Sequence, residues 1–90
     1  MTPSSSKGDS ARDAVPIPLG QLQIGSTAVV VGYSADVALR RFAEMGFVPG
    51  SRVTAMRTAP LGDPIEYAVM GSRVSIRRRD ADLVLVREVP

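Results

Sequence analysis

Ninety residues make one small domain, and 44% apolar against 22% charged residues is the composition of a protein that folds. Eleven Lys and Arg against nine Asp and Glu leave a charge of +2, too balanced for general polyanion binding. The absence of both His and Cys removes disulfides, thiolate nucleophiles and the two commonest builders of transition-metal sites.

Met1 to Val15 is rich in Ser and small polar residues and has too little apolar surface to offset the entropy of ordering, so residues 1–15 are expected to form a disordered tail. Its charges cancel, Lys7 and Arg12 against Asp9 and Asp13, which argues against a basic arm. The folded domain is expected to span residues 16–90. No apolar run approaches the roughly 20 residues that cross a bilayer. The N-terminus also lacks the basic-then-apolar pattern of a secretory signal, so a cytoplasmic location is expected.

Pro16-Ile17-Pro18-Leu19 opens the ordered part, the paired prolines holding an extended path while Ile17, Leu19, Leu22 and Ile24 supply the first apolar anchors. After a turn at Gly25-Ser26, Thr27 to Val31 predicts a strand. Its run Val29-Val30-Val31 implies either cover on both faces or a bend. Ser34 to Gly50 then reads as one short amphipathic helix with both ends marked. Ser34 is placed to cap the first turn, and Asp36 suits the positive end of the macrodipole. Ala35, Leu39, Phe42 and Ala43 recur at helical spacing, with Arg40, Arg41 and Glu44 largely between them. Gly46 stops the helix, Phe47 folds back on the last turn as in a Schellman motif, and Pro49-Gly50 prevents its resumption.

From Arg52 the period changes to two. Val53 and Ala55 alternate with polar residues as far as Thr58, and Met56 lies on the other face. Ala59 to Pro64, with two prolines and a glycine, is a loop leading to a return strand, Ile65 to Met70. Gly71-Ser72 makes a tight turn into Arg73 to Arg77. Arg77 to Ala81 is a polar corner with room for a helical turn, and Leu83 to Val89 is the closing strand. Five short strands and a single helix after the first predict a mainly all-β fold, a small SH3-like antiparallel barrel with Leu39, Phe42 and Met45 packed over an open end. A body this small gains from closure of the barrel or from self-association as a homodimer.

Catalysis is poorly served: without His or Cys a hydrolase would need a Ser-Lys or carboxylate device, and the sole lysine, Lys7, lies in the expected tail. The nearest carboxylate pairs are Asp63 with Glu66 and Asp80 with Asp82. Each sits at a turn, where backbone reasons alone explain acidic residues, so a divalent ion such as iron or zinc held there would be weakly bound and no cofactor is required. The triple arginine Arg77 to Arg79 diverges in a turning segment beside Asp80 and Asp82, and nucleic acid is not expected as a partner. Arg40 and Arg41 join it as one patch only if the helix end and the corner are adjacent. Leu61 at the tip of Pro60-Leu61-Gly62-Asp63-Pro64 has two readings. It is an exposed anchor for a partner, or it tucks under its own loop while Asp63 caps the turn.

Four blocks in order carry a resemblance: Leu19-x-x-Leu22-x-x-Gly25; Leu39-Arg40-Arg41-Phe42-Ala43-Glu44-Met45-Gly46-Phe47-Val48-Pro49-Gly50; Ala59-Pro60-Leu61-Gly62-Asp63-Pro64-Ile65; and Gly71-x-x-Val74-Ser75-Ile76-Arg77-Arg78. From Leu19 onward the chain resembles the FeoA family, small cytoplasmic accessory proteins of bacterial ferrous iron transport. The resemblance implies an SH3-like barrel and a non-catalytic role beside FeoB, the membrane ferrous-iron permease with a cytosolic GTPase domain. The partner-binding residues it suggests, together with the physical reading, are Arg40, Arg41 and Glu44 on the helix and Leu61, Gly62 and Asp63 in the loop. Similar domains end the metal-dependent repressors of the DtxR type, which makes divalent-metal sensing one alternative; a barrel that binds nucleic acid weakly through Arg77 to Arg79 is the other. No DNA-binding helix-turn-helix precedes the domain here, so the free-standing form is expected.

Overall fold

The computed structural model describes residues 15–89. β1 (Ile17–Pro18) leads through a 3-10 turn (Leu19–Gln21) into β2 (Thr27–Tyr33), and α1 (Asp36–Ala43) follows. Then come β3 (Arg52–Thr58), β4 (Ile65–Val69), β5 (Ser72–Ile76), the one-turn helix α2 (Arg78–Ala81) and β6 (Val84–Val89). Of the expected tail, 1–15, all but Val15 lies outside the described residues.

The strands form one antiparallel sheet in the order β1-β6-β2-β3-β4-β5. The extra strand relative to the expected five is β1, where the proline-held stretch pairs Ile17 with Val86 and Pro18 with Leu85. With β1 counted, the helix follows the second strand. β1 and β5 are the two rims and do not pair, so the SH3-like barrel is open rather than closed.

Curvature comes from two irregularities. The β2–β6 register shifts between Val30 and Gly32, leaving Val31 as an extra residue, and the β3–β4 register shifts between Ala55 and Arg57, leaving Met56 extra. An inserted residue bends its strand and raises the local twist. Of the two readings of the valine run, the bend is the one observed. Alternation delivers Ala28 and Val30 of β2, Val53 and Ala55 of β3, Ile65, Tyr67 and Val69 of β4, and Val84 and Val86 of β6 to one buried face.

The exit of α1 closes that face. Gly46 has a φ of +100°, its N–H donates to the Ala43 carbonyl, and the Phe47 N–H donates to the Phe42 carbonyl at 3.0 Å. These are the two bonds of a Schellman motif, and its hydrophobic contact is present as an edge-to-face pair of Phe42 and Phe47 at 5.9 Å. Phe47 also meets Tyr67 edge-to-face at 6.3 Å, and Tyr33 donates its hydroxyl to the Phe47 carbonyl. All four aromatic residues of the chain therefore converge on Phe47.

Three local expectations change. Ser34 does not cap α1: its hydroxyl and its N–H both turn to the Leu83 carbonyl, and the residue before the helix is Ala35, which offers no side-chain bond. Leu39 does not pack over the barrel, since the buried stripe is Ala38 and Phe42 with Met45 packed against the core, and position 39 lies one helical step outside it. The tight turn is Met70-Gly71 rather than Gly71-Ser72. Both its residues have positive φ, 51° and 78°, the twist a two-residue hairpin needs, and β4 ends at Val69.

A Cβ on Gly46 would lie 2.9 Å from the Met70 Cγ in addition to the cost of its positive φ. Gly46→Ala is thus expected to lose about 1–3 kcal/mol in urea unfolding, with the m-value unchanged. Burial raises the Tyr67 hydroxyl well above its ordinary pKa, the Arg78 guanidinium opposing the rise and Asp82 and Asp63 adding to it. The folded state thus favours the protonated phenol. Its contribution is complete below the unfolded value of about 10 and is lost as the pH rises above it. Tyr67→Phe should flatten the alkaline limb of a stability–pH curve while costing about 1 kcal/mol at neutral pH for the lost bond to the Leu19 carbonyl.

Candidate functional site

The loop between β3 and β4 is built to hold its tip outward. Pro60 supplies the second position of a turn and Gly62 the fourth. The Gly62 N–H donates to the Ala59 carbonyl at 2.8 Å, and the Ala59 N–H donates to the Pro64 carbonyl at 2.9 Å. The Asp63–Pro64 peptide bond is cis. Leu61 sits at the apex with 97% of its surface exposed. Of the two readings of this residue, the tucked one does not occur.

Arg78 fastens that loop from outside. Its guanidinium donates to the Gly62 carbonyl at 3.1 Å and to the Gly20 carbonyl, so one planar fork ties the loop to the 3-10 turn. Its backbone N–H donates to Asp63 Oδ1 at 2.7 Å. Asp63 therefore caps the start of α2 instead of its own turn, a carboxylate placed where the first N–H groups of a helix lack partners. The arginine triple does not act as a unit: all three residues are exposed, but Arg78 spends its guanidinium on these two carbonyls, and Arg77 and Arg79 take no part in the clamp.

α1 supplies a second exposed surface. Arg40, Arg41 and Glu44 all face solvent, as expected. Arg41 Nη2 is 3.4 Å from Asp80 Oδ2, and the guanidinium lies 5.4 Å from the Phe42 ring centre. That contact makes the helix end and the arginine corner neighbours. α2 consequently stands between the two candidate surfaces, bonded through Asp80 to α1 and through Arg78 to the loop.

The carboxylates singled out from the sequence go to separate partners. Glu66 accepts from Arg57 Nε at 2.9 Å, Asp80 from Arg41, and Asp63 from the Arg78 amide. Asp82 Oδ1 is buried without a hydrogen-bond partner, close against Gly20, where a Cβ would come within 2.2 Å of it. Among the described residues no three His, Cys, Asp or Glu side chains are grouped to hold a metal ion. An ion here would find at most two carboxylates, with Arg78 close by.

Two features escaped the sequence. Val37 and Leu39 are 77% and 55% exposed, an apolar pair beside Arg40 on the outer side of α1. The i, i+4, i+7 series of Ala38, Phe42 and Met45 was the available signal, since it defines a stripe that leaves both out. The clamp by Arg78 had no signal in local spacing, because its acceptors are backbone carbonyls of residues 62 and 20.

Residues 17–88 match the FeoA domain family. Over 64 residues the chain is 44% identical to the Fe(2+) transport protein A/Fe(2+) transporter FeoB fusion protein of Porphyromonas gingivalis (strain ATCC BAA-308 / W83), covering 70% of this chain and 8% of that protein. The chain thus spans a small part of that relative's length. Its fold is shared with a FeoA-like protein from Clostridium acetobutylicum, with a TM-score of 0.77 at 30% identity over 83% of this chain and 88% of that one. It is also shared with the Stenotrophomonas maltophilia FeoA complexed with zinc, a prokaryotic SH3 domain protein, with a TM-score of 0.66 at 31% identity over 81% and 89% of the two chains. A family match over residues 17–88, nearly all of the described residues, places this chain in the FeoA family.

Proposed function

We propose that the chain is a non-catalytic, cytoplasmic accessory of ferrous iron transport that docks on the cytosolic part of a FeoB-type permease, a membrane protein with a GTPase domain. The observation that carries this reading is the exposed Leu61 on a loop held rigid by Arg78. A leucine that contributes nothing to its own core, on a tip with little conformational entropy left to lose, is the kind of anchor that binding energy concentrates on. Val37, Leu39, Arg40 and Glu44 on α1 form the second contact, on the other side of α2. Support for the partner comes from the Porphyromonas gingivalis protein, in which the two transport components share one polypeptide. No helix among the described residues is long and apolar enough to cross a membrane, which fits action from one side of it.

A second reading, weak binding of a divalent ion by turn carboxylates, has Asp82 in its favour through its unpartnered oxygen, and the zinc complex of the Stenotrophomonas maltophilia relative. Arg78 beside it and the lack of a third carboxylate set the affinity low.

Leu61→Asp is expected to leave the thermal transition within about 2 °C, since an exposed substitution changes stability little, and to lower ferrous iron uptake several-fold in cells that depend on this protein. Undiminished uptake would remove the loop from the account. Titration calorimetry with Fe(II) or Zn(II) tests the second reading. Under it, heat appears only as the ion approaches roughly millimolar concentration and falls in Asp82→Asn, while no heat at that concentration discards it.

A further inference from the structure

Only one rim of the sheet is closed off by its own sequence. β1 is two residues long, with Pro18 inside it and Pro16 before it, so it offers few N–H donors to a neighbour. The other rim, β5, is hydrogen-bonded to β4 alone. The hairpin sets Val69 against Ser72, and facing residues in an antiparallel ladder alternate between exchanging both bonds and exchanging none. Ser72, Val74 and Ile76 therefore direct their amides and carbonyls to β4, and those of Arg73 and Ser75 point away from the sheet.

Side chains on this rim divide by period two. Val74 is half-buried and Ile76 buried on the core side, while Arg73, Ser75 and Arg77 are exposed on the other. Along the rim runs a groove lined by Arg41, Met45, Ser75, Ile76, Arg77 and Asp80. Asp80 is already engaged by Arg41, and Glu66, which faces Ser75 across the ladder, by Arg57. Among the described residues neither Arg73 nor Arg77 has an acidic partner.

We propose that β5 is the landing edge for an extended acidic segment of a partner protein, which adds to the sheet as a seventh strand. Its backbone takes the outward amides and carbonyls of Arg73 and Ser75. Its acidic side chains meet Arg73 and Arg77 on one face, and its aliphatic side chains enter the groove over Ile76 and Met45 on the other. Charge selects this occupant over a second copy of the chain, because β5 pairing with itself brings the arginines of both copies into one ladder. The same arginines that repel a copy admit an acid-bearing strand. The edge shares no residue with the Leu61 loop and stands whether or not that loop docks.

The full chain, labelled with nitrogen-15, is titrated with a synthetic peptide alternating glutamate and valine and, separately, with one alternating lysine and valine. The acidic peptide should slow hydrogen exchange at the amides of Arg73 and Ser75, and its affinity should fall with added salt. Arg73→Glu/Arg77→Glu, a change confined to exposed positions, should weaken the acidic peptide about tenfold, as for the loss of two exposed ion pairs, and should favour the basic one. Unchanged exchange at those amides, or equal action by the two peptides, overturns the proposal. So does protection that grows with protein concentration and no peptide, which would show the edge pairing with itself.

Discussion

The structure depends on where Phe47 goes. One glycine with positive φ ends the helix, and the residue after it is driven back into the barrel between Phe42 and Tyr67. A domain with this few aromatic residues cannot spread them, and here they meet at a single point, where a buried ring contributes on the order of 2–3 kcal/mol. Against a total stability of roughly 5–15 kcal/mol, that junction fixes the helix to the sheet. Tyr67 then extends it by donating to the Leu19 carbonyl, so the aromatic cluster also holds the 3-10 turn that receives Arg78.

From that junction the candidate contact surfaces follow in sequence. The 3-10 turn offers the Gly20 carbonyl, Arg78 joins it to Gly62, Asp63 caps α2, and Asp80 of α2 holds Arg41 of α1. Leu61 and the outer face of α1 are therefore not independent loops but two sides of one braced corner. Bracing matters because a contact residue that is already ordered loses less entropy on binding. At this corner the carboxylates are dispersed among arginines and amides, and the chain contains neither His nor Cys.

Much of this was legible in the residues. Alternation placed Val53, Ala55, Ile65, Tyr67 and Val69 on one face because a half-buried strand has a two-residue period, and Gly46-Phe47 announced its own geometry because only glycine takes that φ cheaply. The helix entrance and its orientation were not legible. Ser34 was drawn to the Leu83 carbonyl, a partner 49 residues away, and the helix is rotated so that Ala38 is buried in place of Leu39, a tertiary choice that local spacing does not record. The loop followed the same division. Its turn chemistry was written in Pro60 and Gly62, whereas the arginine that braces it acts through backbone carbonyls, which leave no mark in spacing.

Contact between the braced corner and a FeoB-type permease is the proposal on which the roles of Leu61 and α1 rest. Its most direct test is a chemical-shift map of the nitrogen-15-labelled chain titrated with the unlabelled cytosolic part of a FeoB-type permease, with and without guanine nucleotide. Docking through this corner gives saturable shifts gathered at residues 36–44 and 60–63, on either side of α2. Shifts confined to β1, β2 and β6, or none at protein concentrations far above micromolar, would contradict it.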